Sequence, residues 1–456
     1  MGCFTVDWQC IIPYHWLSKM PSGGVLKSVM AIKVLAAADL HLGKRTSGLD
    51  VLGTDCATKL TWRRMVDYAI IEKVDILLLS GDVIDRDNRY YEASGSLQEG
   101  FSRLGENGIE VFLVTGNHDY DVLPQVLRNH SYPHVHLLGA NGSWGVYRIE
   151  RDGDILQVVG WSFPQQYVFV DPLPGLTALP TDPNHFRLGM IHCDVDQPYS
   201  RYAPVALSNL ENAEMDAWVL GHIHKPTAYD GDKLIRYPGS PQALSAKEQG
   251  VHGAIVFSIE GKRVEAIKEV LFSNCRFERL VVDVSRVETL ETFRGLIETA
   301  LSTHANDRLL DLDGMAFLVY DLHLTGQNSK GLDIEKWLSQ VKDNNDLVLS
   351  TGTKVLIRAM SSSVRPVVEN LERLATERSP AGVLAETLLA LRSGQSTPFL
   401  EQLANDWDAQ MTAVTNSAGF QPLQEGFRRN GNPRTAKEFI EEECNRLLSE
   451  LLFPNN

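Results

Sequence analysis

No run of apolar side chains in these 456 residues reaches the roughly 20 needed to cross a bilayer. Paired cysteines are missing as well. Six are scattered, as Cys3, Cys10, Cys56, Cys193, Cys275 and Cys444, and no two stand in a Cys-x-x-Cys spacing. That argues against a disulfide framework and a zinc ribbon, and it fits a reducing cytoplasm. Positive charge is in short supply. Lys and Arg number 43 against 58 Asp and Glu, a net charge of -15, which argues against a generally basic nucleic-acid binder but leaves room for a basic groove or bound cations. No internal repeat or low-complexity tract is present. The first thirty residues hold Trp8 and Trp16, but no charged start followed by a long apolar core, so they make a poor signal peptide. Val6 stands where a myristoylation motif wants Ser or Thr. The plainer expectation is that translation starts at Met30, because Met-Ala-Ile-Lys-Val leads straight into a strand. An intact mass that includes residues 1–29 would sink it.

What is present is a globular composition, 43% hydrophobic and 22% charged. The length is too great for one ordinary core, so two or three domains are expected. Five short motifs run in order through the first half: Asp39-Leu-His41, Gly81-Asp82, Gly116-Asn117-His118-Asp119, His192, and Gly221-His222-Ile-His224. Each ends or follows a short apolar run, at 32–38, 75–79, 110–114, 186–191 and 216–220, that reads as a buried strand. Between the first three lie helical patterns, one through Trp62, Met65, Val66, Ala69 and Ile70 and one over 91–106. Strand, helix, strand repeated implies parallel pairing and an α/β layered domain. Ligand-binding loops of such sheets gather beyond the carboxyl ends of the strands, where all five motifs sit.

The motifs supply Asp, His, Asp, Asn, His, His and His, a full ligand set for two divalent metals sharing one carboxylate. Carboxylate and imidazole without thiolate suit Mn, Fe, Zn or Mg. Two metals roughly 3.5–4 Å apart clamp the attacking and leaving oxygens of a phosphate ester. The glycines before Asp82, Asn117 and His222 fit a backbone that turns sharply at a strand end. Turn chemistry at 151–154, 229–232 and 259–262 predicts hairpins and a second sheet packed on the first.

These motifs, with Tyr237-Pro-Gly-Ser240, resemble the calcineurin-like metallophosphoesterases. More narrowly they resemble the SbcD-type DNA repair exonucleases, nuclease subunits that work with an SMC-like ATPase. The resemblance covers about residues 31–270. It implies a four-layer α/β/β/α sandwich. It implies that Asp39, His41, Asp82 and His224 hold one metal, and that Asp82, Asn117, His192 and His222 hold the second. His118 would act on the scissile phosphate as a catalytic residue, oriented by Asp119. Mn2+ is the first expectation for the two cations. Some nucleases of the family carry His where this chain has Asp85, which bears on strand handling.

Lys44, Arg45, Arg86 and Asp85 are candidate substrate contacts, as are Arg89 and Lys225; solvated surface charge is the alternative for the basic ones. His134 and His136 read as structural. Asp194 and Asp196 either support the site or are ordinary loop carboxylates. The expected organisation is an extension over 1–30, a metallophosphoesterase domain over 31–270, a small α/β capping domain over 271–367, and a helical region over 368–456. In the last, helices are expected at 382–392, 399–411 and 435–452, with a linker over 417–433. The terminal helix either packs on its own domain or docks on a partner. The resemblance implies DNA, a coiled-coil ATPase and a homodimer as partners, with no membrane. Two functions remain open: a DNA exo/endonuclease, and a phosphodiesterase or phosphatase acting on a small nucleotide or other phosphoester.

Overall fold

The computed structural model describes residues 31–49, 57–85, 92–130, 132–151, 154–312, 314–328, 331–343, 347–365, 370–415 and 435–452. The expected start at Met30, Arg86, Arg89 and the 417–433 linker lie outside these residues.

The apolar runs and the helices between them build a first sheet. In chain order they are β1 (Ile32–Ala37), α1 (Thr58–Ile71), β2 (Ile76–Ser80), α2 (Glu92–Glu106), β3 (Glu110–Val114), α3 (Leu123–Asn129) and β4 (Val135–Leu137). The four strands pair in parallel. Successive side chains point to opposite faces, and here both faces are covered. Leu35, Leu77, Leu79, Val111 and Leu113 face a core that also holds Trp62, Met65 and Val66 of α1 and Phe101 of α2. Val34, Ala36, Ile76, Leu78 and Phe112 face a second core.

That second core is closed by another sheet. It is built from β5 (Trp144–Arg151), β6 (Asp154–Trp161) and β7 (Phe186–His192), then β10 (Ala217–Gly221), β11 (Thr227–Tyr229) and β12 (Leu234–Tyr237). Before β10 the chain forms the small pair β8 (Asp194–Val195) and β9 (Pro204–Val205), then α4 (Leu207–Asn212). Leu156, Val158, Leu188, Met190, Ala217 and Val219 meet the first sheet. On the other face, Trp161, Ile191, Trp218 and Leu220 pack with Leu210 of α4 and with Leu173 and Leu176 of a 3-10 turn. β13 (Gly253–Glu260) returns to the first sheet antiparallel to β1, and β14 (Arg263–Leu271) pairs with it. The result is the expected four-layer sandwich, with a thin outer layer on the second sheet. The hairpins expected at 229–232 and 259–262 join β11 to β12 and β13 to β14.

β15 (Cys275–Asp283), α5 (Leu290–Asn306), β16 (Phe317–Thr325), α6 (Gly331–Asp343) and β17 (Lys354–Ser362) form a parallel three-stranded sheet with two helices. Phe293, Ile297 and Leu301 of α5 pack on Leu318, Tyr320 and Leu322 of β16. α5 begins at Leu290 because Thr289 and Thr292 close a capping box. A small cluster joins this unit to the sandwich: Leu49 and Ala243 with Cys275, Phe277, Phe317 and Val319.

The chain ends in α7 (Leu371–Leu374), α8 (Pro380–Ser393), α9 (Pro398–Thr415) and α10 (Ala436–Leu452). Ile440, Cys444 and Leu448 of α10 pack with Leu388 and Leu391 of α8 and Leu400 of α9, so one face of α10 is used in self-packing. Phe439, Leu447 and Leu451 stay exposed. Thr435 caps α10 through Glu438, which explains its start. Among the described residues, no helix is long and apolar enough to cross a membrane.

Candidate metal centre

The site forms where the carboxyl ends of strands from both sheets meet. The loops after β1 and β2 are joined by backbone bonds: Asp39 N to Gly81 O (3.0 Å), His41 N to Asp82 O (2.9 Å) and Leu42 N to Val83 O (2.9 Å). The second sheet is tied to the first at the same level. Ser80 Oγ donates to Val219 O at 3.1 Å, and the carbonyl of Ser80 lies 3.1 Å from His192 Nδ1. Asp39, His41, Asp82 and His222 all take positive φ, at 54°, 45°, 49° and 105°. Side-chain-bearing residues seldom do, and such strain gathers where a site must aim its groups.

The side chains converge. His41 Nε2 lies 3.2 Å from His224 Nε2 and 3.8 Å from Asp82 Oδ2. His192 Nε2 lies 3.4 Å from the same Asp82 oxygen and 3.2 Å from Asn117 Oδ1. Asp82 therefore stands between the His41 side and the His192 side. His224 Nε2 is 4.0 Å from Asp39 Oδ1. The His222 amide donates to both Asp39 oxygens, at 3.2 and 3.1 Å, and its ring lies 5.2 Å from that of His192. Three donor sets each fit within 4.8 Å: Asp39, His41 and His224; His41, Asp82 and His118; Asp39, Asp82 and His192. The ion pairs of Asp39 and Asp82 among the described residues are all with histidines. Two buried carboxylates crowded by imidazoles, with no lysine or arginine partner among the described residues, suit hard or borderline divalent cations.

Electrostatics follow from the crowding. Burial raises the Asp39 carboxyl above its usual range. Burial pushes Asp82 the same way, but His192, His41 and His118 outweigh it and hold Asp82 down at about 2. Burial, with the charge of His192, lowers His222 to about 3, which keeps its imidazole neutral and able to coordinate. His224 moves upward against the effect of burial, because Glu248 and Asp39 favour its charged form.

Among the described residues, Asp119 makes no hydrogen bond to the His118 ring. Its Oδ2 accepts the amides of Val83 (2.7 Å) and Ile84 (3.4 Å), and its Oδ1 accepts that of Gly116 (2.8 Å). It is buried and stitches the loop after β2 to the loop after β3; burial beside Asp82 pushes its carboxyl up to about 8. Asp85 Oδ1 lies 3.7 Å from His118 Nδ1, and Asp82 Oδ1 accepts the His118 amide at 2.8 Å. Asp85, a candidate substrate contact, lies behind His41 and Lys44. It is buried, and its Oδ1 sits 3.1 Å from His41 Nδ1 and 3.8 Å from Lys44 Nζ. The short turn after Asp82 carries it inward.

Lys44 is half-exposed at the rim, and Arg45 and Lys225 are exposed or nearly so; Arg86 lies outside the described residues. His134 bonds Phe101 O, and His136 bonds Glu110, both remote from the centre. Asp194 lies 3.7 Å from His222 Nε2, whereas Asp196 accepts the Leu207 amide at the start of α4. Sequence reasoning missed Glu248. Its Oε1 holds His224 Nδ1 at 3.0 Å while its Oε2 accepts the Leu244 amide at 2.7 Å. No motif marks it. The Tyr237-Pro-Gly-Ser240 motif, by contrast, braces the site from behind. Tyr237 OH donates to Cys193 O and accepts from Val195 N, and Ser240 N bonds His224 O.

Residues 32–226 match the calcineurin-like phosphoesterase family. Over 280 residues the chain is 27% identical to an uncharacterized metallophosphoesterase, YhaO, of Bacillus subtilis, covering 58% of this chain and 66% of that protein. It is 25% identical over 247 residues to the DNA double-strand break repair protein Mre11 of Sulfurisphaera tokodaii, covering 50% of this chain and 58% of that one. The protein of the same name from Sulfolobus acidocaldarius is 22% identical over 310 residues, 64% of this chain and 78% of that one. The chain thus spans two thirds or less of the length of the first two relatives.

Proposed function

We propose that this chain is a metal-dependent phosphoesterase and, within that class, a DNA nuclease that hydrolyses phosphodiester bonds with two divalent cations, manganese first among them. One observation carries the reading. The family match ends at residue 226, but similarity to an Mre11 runs over 310 residues, past the part shared with phosphoesterases in general.

In this reading Asp39, His41, Asp82 and His224 would hold one cation, and Asp82, Asn117, His192 and His222 the other. When bound, the pair supplies positive charge at the phosphoryl and leaving oxygens. The chain's own groups do the aiming. Asp85 on His41 Nδ1, Ser80 O on His192 Nδ1 and Glu248 on His224 Nδ1 leave each Nε2 turned to the centre. His118 stands at the rim, its side chain 32% exposed and its ring edge-on to His41 at 4.8 Å. Among the described residues its Nδ1, a buried atom 3.7 Å from Asp85 Oδ1, has no hydrogen-bond partner. From the rim the ring would stabilise charge on the phosphate or protonate the leaving oxygen. Residues 271–367 would act as a cap on the sandwich. The exposed side of α10 would dock on a coiled-coil ATPase, and the chain would work as a homodimer.

The second reading is a phosphodiesterase for a small nucleotide or other phosphoester, favoured by the net charge of -15. The deciding measurement is Mn2+-dependent degradation of end-labelled linear duplex DNA by wild type and His118→Ala. The nuclease reading expects digestion by wild type, and a loss of about 10²–10⁴ in rate with metal binding kept in the variant. Intact DNA, with and without an ATPase partner, together with rapid turnover of a small phosphodiester, would overturn it.

A further inference from the structure

A strip of aromatic rings leaves the metal centre on one side, and the chemistry above does not use it. The Tyr202 ring lies 4.7 Å from that of His222, tilted by 39°. Tyr167 follows 6.0 Å from Tyr202, and Phe169 6.4 Å from Tyr167. The Arg201 guanidinium stands over Tyr167, 5.1 Å from its centroid. Phe169 and Val170 are 67% and 68% exposed. Contiguous apolar exposure of this kind marks a binding surface more often than chance decoration.

The strip is held by backbone. Val168 N donates to Arg201 O at 2.8 Å, and Ala203 N donates to Val168 O at 2.8 Å. The two segments that carry the rings therefore lie side by side. Behind Phe169 and Val170 the surface dips into a cavity of about 690 Å³ walled by Trp144, Trp161 and Pro164. Asp171 follows Val170 in the chain, and Asp194 lies 3.7 Å from Nε2 of the His222 ring that Tyr202 adjoins. A track for backbone phosphates needs a row of cations, which this is not. Flat rings and one stacked guanidinium instead suit a flat π-faced group. On a phosphodiester whose phosphate sits at His222, that group is a nucleobase.

We propose that Tyr167, Phe169 and Arg201, with Tyr202 as the inner step, form a stacking platform for nucleobases next to the scissile phosphate. The proposal rests on the phosphodiesterase reading and names the part of the substrate that this face recognises. The base belongs to a strand end or to a small nucleotide; the stacking chemistry is the same.

The test is a fluorescence titration of the full chain with Mn2+ and a single-stranded phosphorothioate decamer carrying 2-aminopurine at its end. Wild type should quench the base. Phe169→Ser, which changes an exposed side chain, and Tyr167→Leu, which keeps bulk, should each weaken binding on the order of tenfold and restore fluorescence. A decamer with abasic residues at that end should bind wild type as weakly as the variants bind the normal one. Absence of quenching by wild type, or equal quenching and affinity in both variants, overturns the platform. A 2-aminopurine mononucleotide separates the sources: affinity equal to the decamer's assigns the platform to small nucleotides, and weaker affinity assigns it to a strand. Quenching without cleavage of any DNA would remove the nuclease reading and keep the platform. Cleavage without quenching would do the reverse.

Discussion

Asp119 accepts three backbone amides inside the protein, from Gly116, Val83 and Ile84. Each buried N–H left unpaired costs about 1–3 kcal/mol. Asp119→Ala is therefore expected to lower stability by about 3 kcal/mol or more, read by urea unfolding, whereas His118→Ala should melt like wild type. Equal melting of the two would refute the assignment of Asp119 to loop stitching. His252 gives a pH prediction at the same scale. Burial holds it below its usual range, its Nδ1 against Ser240 O at 2.9 Å. A folded value below the unfolded one means the unfolded chain takes up the proton first as pH falls. Stability is thus whole above the unfolded value of about 6.5 and declines below it. Tm should fall as the pH drops below about 6.5, and His252→Gln should remove part of that slope. An unchanged slope in the variant would show that other groups carry it.

At the scale of elements, the motif glycines show why two sheets can share one centre. The turn at Gly81 does need a positive φ, of 91°. Gly116 and Gly221 are needed for space. A Cβ at Gly221 would stand 1.8 Å from Ser80 O, and one at Gly116 would stand 2.2 Å from Asp82 Oδ1. Gly221→Ala must push β10 away from β2, at a cost of about 1–3 kcal/mol for overpacking. Calorimetric titration should show weaker metal binding in that variant. Gly231→Ala, with nothing within 4 Å of the new Cβ, is the control expected to behave as wild type. The sequence reading gave these glycines one reason, a sharp turn. The structure gives all three another, since a Cβ at Gly81 would also stand 2.4 Å from His192 Nδ1, and close approach between strand ends has no local signature.

At the scale of the whole molecule, the centre concentrates charge that folding has taken out of water. Asp39 and Asp82 are buried with only histidines as ion-pair partners among the described residues. Cations that bind the folded chain and not the unfolded one stabilise it by about 2.7 kcal/mol at a hundredfold excess over Kd. Mn2+ is expected to raise Tm relative to EDTA, and His192→Ala should lose most of that rise. A Tm indifferent to Mn2+ in wild type would argue against a built metal site. The expectation belongs to this scale because the donors come from five strand ends in two sheets.

The sequence by itself determined the strands, their parallel order in the first sheet, the helices between them and the loops that carry Asp39, His41, Asp82, Asn117, His118, His192, His222 and His224. Short apolar runs, helical spacing and glycine at strand ends are local signals, and each can be read within a few residues. Only the tertiary structure decided what supports those groups. Glu248 reaches His224 from a loop 24 residues on, Asp85 turns inward to His41, Asp119 serves backbone amides in place of His118, and Tyr202 brings an aromatic strip against His222. Those contacts depend on how two twisted sheets and their loops meet, and no spacing within a single segment encodes that distance.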